Sequence, residues 1–398
     1  MRRLPAILFI VICFIFLLSC QQTHKSEIRN IKVYFEPGRF GGWPANSGIW
    51  SWGDEILVGF EKGYYKNLGP ELHNIDREKP EVHMFARSLD GGETWALEDP
   101  ARDGVMISRG NSLHGTEPDP ENMRPITQLM EPMNFSNPGF VLKFWLLDVN
   151  IGPSIFYYSY DKGHTWQGPY SLAVDSLVKI SARNDYMIED NNSSMAFFTA
   201  AKSNNREGRV FCARTDDGGL SWQFVSWVGP EPESGFRIMP STVRISEYEL
   251  ILSSRVRKET NNMTELSSGE RQKPRYIDLW LSKDNSKSWE FLGIPVDDLG
   301  EGNPPCLIKL KDGRLCLTYG FRAEPYSICA KLSEDNGRTW GEQIVLRDDG
   351  AGRDIGYVRS VQRKDGNVVT IYYFQDAENF ERYIGCTIWD PDMKIGSK

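Results

Sequence analysis

Five copies of one eight-residue phrase restrict what this chain of 398 residues can fold into. The copies read SLDGGETW, SYDKGHTW, TDDGGLSW, SKDNSKSW and SEDNGRTW, and they end at Trp95, Trp166, Trp222, Trp289 and Trp340. Successive tryptophans are therefore separated by 71, 56, 67 and 51 residues. A repeat with a mean length of about 61 residues indicates a β-propeller or an array of similar units.

The segments between the phrases predict β-strands. Six runs of β-branched and aromatic residues are bounded by Gly, Asp or Asn, and they occupy residues 54–60, 140–148, 194–200, 248–255, 314–321 and 367–374. One unit extends from Ile31 to Trp95, four lie between successive phrases, and one follows Trp340. We therefore expect an all-β fold, a six-bladed propeller with four antiparallel strands in each blade, as a single domain over residues 31–398. A seven-bladed ring would leave only about 54 residues for each blade, and no seventh run is present.

The phrase itself has the chemistry of a tight turn. An Asp carboxylate can accept hydrogen bonds from backbone N–H groups of its own turn, and Gly supplies the positive φ that a tight hairpin needs. The hydroxyl residue adds a local bond, and the Trp folds back as an apolar plug. We therefore interpret the third residue of each phrase as structural: Asp90, Asp161, Asp217, Asp284 and Asp335.

The N-terminus has the pattern of a secretory signal. Arg2 and Arg3 precede an apolar run over residues 5–19, and the leader ends in LLSC at Cys20. This order resembles a bacterial lipoprotein signal, which implies a leader over residues 1–20, a lipid on Cys20, a polar tether over residues 21–30 and a place in the cell envelope. The alternative is an uncleaved membrane anchor. Contact with the membrane is expected only through this end of the chain.

Charge and cysteine content exclude several function classes. The net charge is −8 and no long basic stretch is present, which argues against a nucleic-acid partner. The cysteines after the leader lack the spacing of a disulfide framework or a zinc site, and we interpret them as mostly buried apolar residues: Cys212, Cys306, Cys316, Cys329 and Cys386. The histidines show no ligand spacing, and no metal or nucleotide cofactor is expected.

Polar and charged residues precede each apolar run. In a propeller, the innermost strands begin at one mouth of the central channel, and ligands bind there. The segments that precede the six runs are residues 38–48, 133–140, 181–188, 235–243, 301–308 and 353–361. From these segments we expect the following residues to bind substrate, Trp43 by stacking on a sugar ring: Arg39, Trp43, Arg183, Asp185, Arg237, Asp354 and Arg359.

The eight-residue phrase is the Asp-box, or BNR repeat, and the mature chain resembles a bacterial exo-sialidase of the sialidase superfamily. The resemblance implies a six-bladed propeller in which the boxes join outer strands, away from the catalytic face. It also implies a site in which three Arg bind a sugar carboxylate, an Asp acts as acid and base, and a Tyr paired with a Glu is the nucleophile. Arg suits this task because its planar guanidinium binds a carboxylate through two parallel hydrogen bonds.

Four positions match the family motif by motif. YELILSSR ends at Arg255, in the place of the second clamp Arg, and LCLTYGFR ends at Arg322, a weaker match for the third. The segment LHNIDREKPEVHMFARS precedes the first box like the acid/base loop of the family, and this implies Asp76 as the acid/base. GYVRSVQRKDG resembles the final Tyr-Ser segment and implies Tyr357 as the nucleophile, although two residues separate it from the serine.

Two departures from the family put its usual substrate in doubt. The family opens with Arg-Ile-Pro, but this chain has Gly42-Trp43-Pro44, so the first clamp Arg is missing unless Arg39 replaces it. No carboxylate lies between residues 235 and 246, where the Glu partner of the nucleophile is expected. A Tyr with a pKa of about 10 is a poor nucleophile without a base. Asp185 or Asp354 could replace the Glu, and His73 is a second candidate for the acid/base.

The sequence thus favours a secreted, lipid-anchored, exo-acting glycoside hydrolase of the sialidase type. It would act as a monomer on a glycan and remove a terminal acidic sugar that differs from sialic acid. A polysaccharide lyase acting on uronic acids is a second enzymatic reading, because an Arg/Tyr pair serves that reaction as well. The third reading is a glycan-binding lipoprotein without catalysis, in which Trp43, Trp50 and Tyr64 recognise the ligand.

Overall fold

The structure is a computed structural model and consists of six antiparallel sheets arranged in a ring. It describes residues 28–70, 72–100, 125–175, 177, 179–258 and 274–393. The leader predicted over residues 1–20, with Cys20, lies outside the described residues. The prediction of an all-β, six-bladed propeller is confirmed.

The first half of the chain forms three blades. Strand β1 comes first in the chain, at Arg29–Tyr34. Blade one contains β2 (Arg39–Gly42), helix α1 (Pro44–Ser47), β3 (Ile49–Trp52), β4 (Glu55–Tyr64), β5 (Val82–Ser88) and β6 (Ala96–Glu98). Blade two contains β7 (Val141–Leu146), β8 (Ser154–Ser159) and β9 (Gln167–Leu172). Blade three contains β10 (Ile180–Ser181), β11 (Tyr186–Ile188), β12 (Ser194–Ala201), β13 (Glu207–Thr215) and β14 (Gln223–Trp227).

The second half forms blades four to six. Blade four contains β15 (Phe236–Arg244), β16 (Leu250–Arg257), β17 (Arg275–Ser282) and β18 (Glu290–Val296). Blade five contains β19 (Cys306–Lys309), β20 (Leu315–Phe321), β21 (Tyr326–Ser333) and β22 (Ile344–Gly350). Blade six contains β23 (Gly356–Gln362), β24 (Val368–Phe374) and β25 (Tyr383–Trp389).

The strands of each blade follow one another outward from the channel in chain order, except that β1 is the outer strand of blade six. The innermost strand pairs with the second, and the six predicted runs each contribute this second strand. In blades one and three the innermost position is divided between two short strands, β2 with β3 and β10 with β11. In blade two, the described residues supply three strands, β7, β8 and β9, and no innermost one.

The ring closes through its N-terminal strand. Strand β1 pairs with β25 and is the outer strand of blade six, with Arg29 opposite Ile388. The prediction that the segment from residue 31 to Trp95 forms one complete unit was therefore wrong, and the predicted tether overlaps β1 at residues 29 and 30. Because the N-terminal strand pairs with the last strand of the chain, the two ends of the chain lie in one sheet, and this closes the ring. Whether β1 joins blade one or blade six depends on a long-range strand pairing, and the sequence repeat does not specify this pairing.

The core lies between neighbouring blades. Strands β7 and β8 are buried along their whole length, because both faces of a blade pack against other blades. Between blades one and two, the ring of Phe85 stacks on Trp166 with 5.2 Å between centroids, and Trp145 packs in the same cluster. The five cysteines after the leader are free and buried, as predicted.

The Asp-boxes connect the third strand of a blade to the outer strand. In the first box, Ser88 Oγ donates to Asp90 Oδ1 at 2.8 Å, and the Thr94 N–H donates to the same oxygen at 2.9 Å. The corresponding hydroxyl bonds in the other boxes measure 2.6–2.9 Å. Trp166 and Trp222 are buried, and the other three box tryptophans are half-buried. Because strand directions alternate within a blade, these turns lie at the end opposite the starts of the innermost strands. The structural role predicted for the boxes is confirmed.

Within the described ranges, no helix is long and apolar enough to cross a bilayer. The same residues contain no group of His, Cys, Asp and Glu side chains that could hold a metal ion.

Candidate functional site

Helix α1 forms the floor of the mouth at which the innermost strands begin. Trp43 precedes the helix in a left-handed conformation, with φ of 57°. Behind it, Ala45 packs with Ile238 and Met239, and Tyr357 covers this cluster from the mouth side. The Arg359 guanidinium donates to the carbonyl of Ala45 at 2.6 Å and holds the helix from below.

Tyr357 is held in an unusual backbone conformation. Its φ is 51°, in the left-handed region that a Tyr seldom adopts. Its N–H donates to Asn303 Oδ1 at 2.7 Å, and Asn303 Nδ2 donates to the carbonyl of Ile355 at 2.9 Å. Gly356 has a φ of 101°, and a Cβ there would lie 2.3 Å from the Asn303 amide nitrogen. The surrounding contacts thus maintain a strained residue, which is typical of functional sites.

The hydroxyl of Tyr357 lies beside Arg255. The Arg255 Nη1 is 3.5 Å from that hydroxyl, and Arg255 Nε is buried without a hydrogen-bond partner. Burial lowers the pKa of Arg255 from its usual value, and the positive charges of Arg322 and Arg275 act in the same direction. Among the described residues, no carboxylate contacts Arg255 or the hydroxyl of Tyr357. The Glu partner that the family pairs with its nucleophile therefore has no counterpart in these contacts.

Arg322 also lies beside Tyr357. Its guanidinium carbon lies 5.4 Å from the centre of the Tyr357 ring. Arg322 Nε donates to the carbonyl of Ile355 at 2.9 Å, and Nη2 donates to the hydroxyl of Tyr373. The structure thus brings together three residues that motif matching selected separately, Arg255, Arg322 and Tyr357.

Asp354 is a buried anion among several donors. Its carboxylate accepts from Arg382 Nε at 3.0 Å and from the Tyr373 hydroxyl at 2.5 Å, and His73 Nδ1 lies 2.6 Å away. Burial acts to raise the pKa of Asp354, but the neighbouring His73, Arg382 and Arg322 hold it well below its usual range. The predicted contact of Asp354 with substrate does not hold in this structure, because its oxygens are bound to other side chains. It instead orients the groups around Tyr357.

The predicted acid/base, Asp76, lies on the loop between β4 and β5. Its N–H donates to the carbonyl of Tyr64 at 2.8 Å. Its carboxylate is 3.4 Å from Lys66 Nζ and 3.9 Å from Lys79 Nζ, and it accepts from the N–H of Glu78 at 3.3 Å. Asp76 is thus at the mouth end of blade one, with its side chain engaged by two ammonium groups.

Of the aromatic residues expected at the rim, Trp43 is buried, and Trp50 and Tyr64 are half-buried and in contact with other side chains. Trp43 is 1% exposed, so its predicted stacking on a sugar was wrong. The Trp50 indole donates to the hydroxyl of Tyr186 at 3.0 Å. The Arg39 guanidinium lies over the ring of Tyr64, 3.7 Å from its centre. Arg39 is therefore engaged with blade one and does not replace the missing clamp beside Arg255.

Two further arginines predicted to bind substrate have internal carboxylate partners. Arg183 pairs with Glu207, and both side chains are buried. Arg237 Nε donates to Asp278 Oδ2 at 2.9 Å, and its guanidinium lies 4.7 Å from the ring centre of Trp280. The prediction that these arginines bind substrate is not supported, because the carboxylates of Glu207 and Asp278 already compensate their charge.

Asp185 and Arg359 lie below the floor. Asp185 Oδ2 accepts from the Thr242 hydroxyl at 2.7 Å, and burial raises the pKa of Asp185 to about 7. Arg359 donates to the carbonyls of Ala45 and Asn184. Both side chains are thus held by contacts within the protein, and their contact with substrate remains a prediction.

Sequence reasoning missed the residues that support the site. Asn303, Tyr373 and Arg382 hold the backbone of Tyr357 or the carboxylate of Asp354. Asn303 stands in the quoted segment EGNPPCLI, and an amide before two prolines was its only signal. Tyr373 lies near the end of β24, the second strand of blade six, and Arg382 lies in the loop that follows β24. Rim residues were predicted only in the segments before the apolar runs.

Comparison with known proteins places the chain in a family. Residues 76–370 match the model described as a BNR repeat-like domain. The chain belongs to this family. The resemblance to the sialidase superfamily is thereby confirmed. Among curated proteins, no significant match is found.

Solved structures share the fold at low sequence identity. A protein of unknown function from Dyadobacter fermentans is 18% identical, with a TM-score of 0.65, and the match covers 91% of this chain and 99% of that one. The α-L-arabinofuranosidase Arb93A of Fusarium graminearum is 14% identical, with a TM-score of 0.57 and coverage of 91% and 97%. A Trypanosoma rangeli sialidase mutant with trans-sialidase activity is 10% identical, with a TM-score of 0.57 and coverage of 91% and 58%. At these identities the likeness establishes the fold alone.

Proposed function

We propose that this BNR repeat-like protein is an exo-acting glycoside hydrolase that removes a terminal acidic sugar from glycans. The observation that supports this most is Arg255, a desolvated guanidinium beside Tyr357 and Arg322 that contacts no carboxylate of the described residues. An unpaired buried charge is costly to a fold. A ligand carboxylate would supply the missing counter-charge through charge-assisted hydrogen bonds.

The remaining arginines sharpen this argument by contrast. Arg183 and Arg237 are buried at the mouth end of their blades, whereas Arg255 is half-buried, and each of the two buried arginines has a carboxylate partner within the protein. Of these three arginines, Arg255 is the one whose charge no carboxylate of the described residues compensates. An external anion could therefore pair with it. The guanidinium of Arg322, fixed by Tyr373 and by the carbonyl of Ile355, provides a second positive charge on the same side.

In the proposed reaction, the Tyr357 oxygen attacks the anomeric carbon of the bound sugar. Its backbone is held by Asn303, and the guanidinium of Arg255 stabilises negative charge on the oxygen as it reacts. A proton donor must protonate the leaving oxygen. The loop between β4 and β5 supplies the candidates, Asp76 and His73. The named activities of the arabinofuranosidase and sialidase neighbours support glycoside hydrolysis as the reaction class.

Product analysis on a panel of acidic and neutral glycans tests the proposal. We expect release of a terminal acidic sugar with water added, and loss of this activity in Tyr357→Phe. Products that absorb near 235 nm, a general property of unsaturated uronates, would instead establish a lyase. Retention without turnover would establish a binding protein.

The panel also tests the substrate class within the proposal. A standard sialoside should be a poor substrate, because Gly42 stands where the family has its first clamp Arg and Arg39 is stacked on Tyr64. Rapid cleavage of that sialoside would contradict this part of the proposal and leave the reaction class intact.

We also propose that the protein is anchored to a membrane through a lipid on Cys20. Strand β1 begins at Arg29 opposite Ile388, near the end of β25, so the chain enters the propeller at the end opposite the mouth. The mouth would then face away from the membrane. Cys20→Ser should move the protein from the membrane fraction to the soluble fraction. If this variant stayed in the membrane fraction, an uncleaved helix would be the anchor.

A further inference from the structure

His73 and Asp354 connect blades one and six at the mouth. His73 Nδ1 lies 2.6 Å from Asp354 Oδ1, and Asp354 is 3% exposed. The same carboxylate accepts from Arg382 and Tyr373, and Arg322 Nη2 is 3.8 Å away. Because Arg322 and Tyr373 both also face Tyr357, this network adjoins the candidate nucleophile directly.

The network determines which ring nitrogen of His73 is available. An ionised carboxylate can only accept hydrogen bonds, so Nδ1 donates to Asp354 and carries a proton. The ring also packs edge-on against Trp43, with the two ring centroids 5.4 Å apart. About a third of the His73 side chain, 32%, is exposed. Among the described residues, none hydrogen-bonds to Nε2, which leaves this nitrogen for a ligand.

We propose that His73, oriented by Asp354, transfers the protons of the hydrolysis proposed above. This inference rests on that function and assigns one of its steps. The cycle starts with Tyr357 ionised and both ring nitrogens of His73 protonated. Nε2–H gives its proton to the glycosidic oxygen as that oxygen leaves and the Tyr357 oxygen bonds to the anomeric carbon. Water then attacks this carbon, the bond to Tyr357 breaks, and the proton of water passes to Nε2.

His73 fits this step better than its neighbour Asp76. Asp76 is 9% exposed. Its carboxylate faces Lys66 and Lys79 and accepts a hydrogen bond from the N–H of Glu78. Its oxygens are thus engaged on the loop itself. The carboxylate of Asp354 is enclosed by Arg382, Tyr373 and His73, so it can orient a proton carrier but has no free oxygen to present.

The experiment compares leaving groups of graded basicity. The probes are phenyl, 4-chlorophenyl and 4-nitrophenyl glycosides of glucuronic, galacturonic and sialic acid. A proton donor matters most for the poorest leaving group. His73→Gln should therefore lower kcat by about 100- to 10,000-fold on the phenyl glycoside and far less on the 4-nitrophenyl glycoside. Asp354→Asn should lower kcat with a smaller change in KM, because it loosens the imidazole without removing it.

Two variants serve as matched comparisons. His164→Gln replaces an exposed histidine in an Asp-box turn, and it should leave every rate unchanged. Asp76→Asn should keep the leaving-group dependence of the wild type. Added imidazole should restore part of the lost rate to His73→Ala, which a purely structural role of His73 would not allow. Thermal unfolding of each variant confirms that the protein is folded.

The outcomes separate the two proposals. Loss by the same factor on every probe in His73→Gln would overturn the inference and assign His73 to holding the loop. A steep leaving-group dependence in Asp76→Asn, with none in His73→Gln, would overturn it in favour of Asp76. If the wild type hydrolysed none of the probes and none of the glycan panel, the proposed function itself would fail, and this inference with it.

Discussion

The Asp-box edge and the mouth of this propeller are stabilised by opposite kinds of contact. In the first box, every side-chain bond of Asp90 joins residues no more than four positions apart. At the mouth, Arg255 meets Tyr357 across 102 positions and His73 meets Asp354 across 281. The repeated edge is built from local bonds five times over. The mouth is assembled once, from residues of different blades.

The two regions also differ in how charge is compensated. Each box carboxylate accepts several local bonds, and these hydrogen bonds lower the pKa of Asp90 to about 2 against the opposing effect of burial. Arg255 has no carboxylate in contact among the described residues, and Tyr357 beside it has a strained backbone. The edge is therefore expected to contribute stability, and the mouth to give up some stability for binding.

The largest expected effect on stability lies at a paired arginine of the inner ring. Arg237→Met leaves the buried carboxylate of Asp278 without its guanidinium partner. We expect the free energy of unfolding to fall by about 3–5 kcal/mol, because an uncompensated buried charge remains. Urea denaturation measures this change. An unchanged midpoint would show that the internal pairs at the mouth are not structural.

Arg255→Met sharpens the comparison, since it removes a half-buried guanidinium that has no carboxylate partner among the described residues. Binding of an acidic sugar should weaken by about 1.5–3 kcal/mol, or one to two decades in Kd. The free energy of unfolding should stay the same or rise, because repulsion with Arg322 and Arg275 is relieved. Calorimetric titration and urea denaturation of the same variant measure the two effects. A large loss of stability would mean that Arg255 has a structural partner.

Asp217→Ala tests the opposite region. The carboxylate accepts from the Thr215 and Ser221 hydroxyls and from the Ser221 N–H, and all of these bonds are lost. We expect unfolding to become easier by about 1–3 kcal/mol. Activity per folded molecule should not change, because the box lies at the far end of blade three. Lost activity in fully folded protein would place box residues in the chemistry.

The smallest effect is a dependence of stability on acid. The folded pKa of Asp90, about 2, is below the ordinary value of about 3.9. Its stabilising contribution is therefore complete above about pH 4 and is lost as the pH falls through about 2. Asp90→Asn should reduce the difference between urea midpoints at pH 5 and pH 2.5, and Thr94→Val should reduce it partly. An equal difference in wild type and Asp90→Asn would rule out this contribution.

The features that could be predicted are those set by neighbours in the sequence. The box turns and the second strand of every blade follow from composition over eight or nine residues. Arg255, Arg322 and Tyr357 were selected by motif matching, and the structure brings them together. The internal partners of Arg183 and Arg237, the burial of Trp43 and the placement of β1 in blade six depend on which strands become neighbours. No local pattern contains that information.

The central claim is that the mouth binds a carboxylate through Arg255. Calorimetric titration of the wild type and Arg255→Met with glucuronic and galacturonic acid, and with glucose and galactose as neutral partners, tests it most directly. We predict that the wild type binds at least one acid about ten-fold or more tightly than its neutral partner, and that this preference disappears in Arg255→Met. Equal binding of acid and neutral sugar by the wild type, or a preference unchanged in the variant, would contradict the claim.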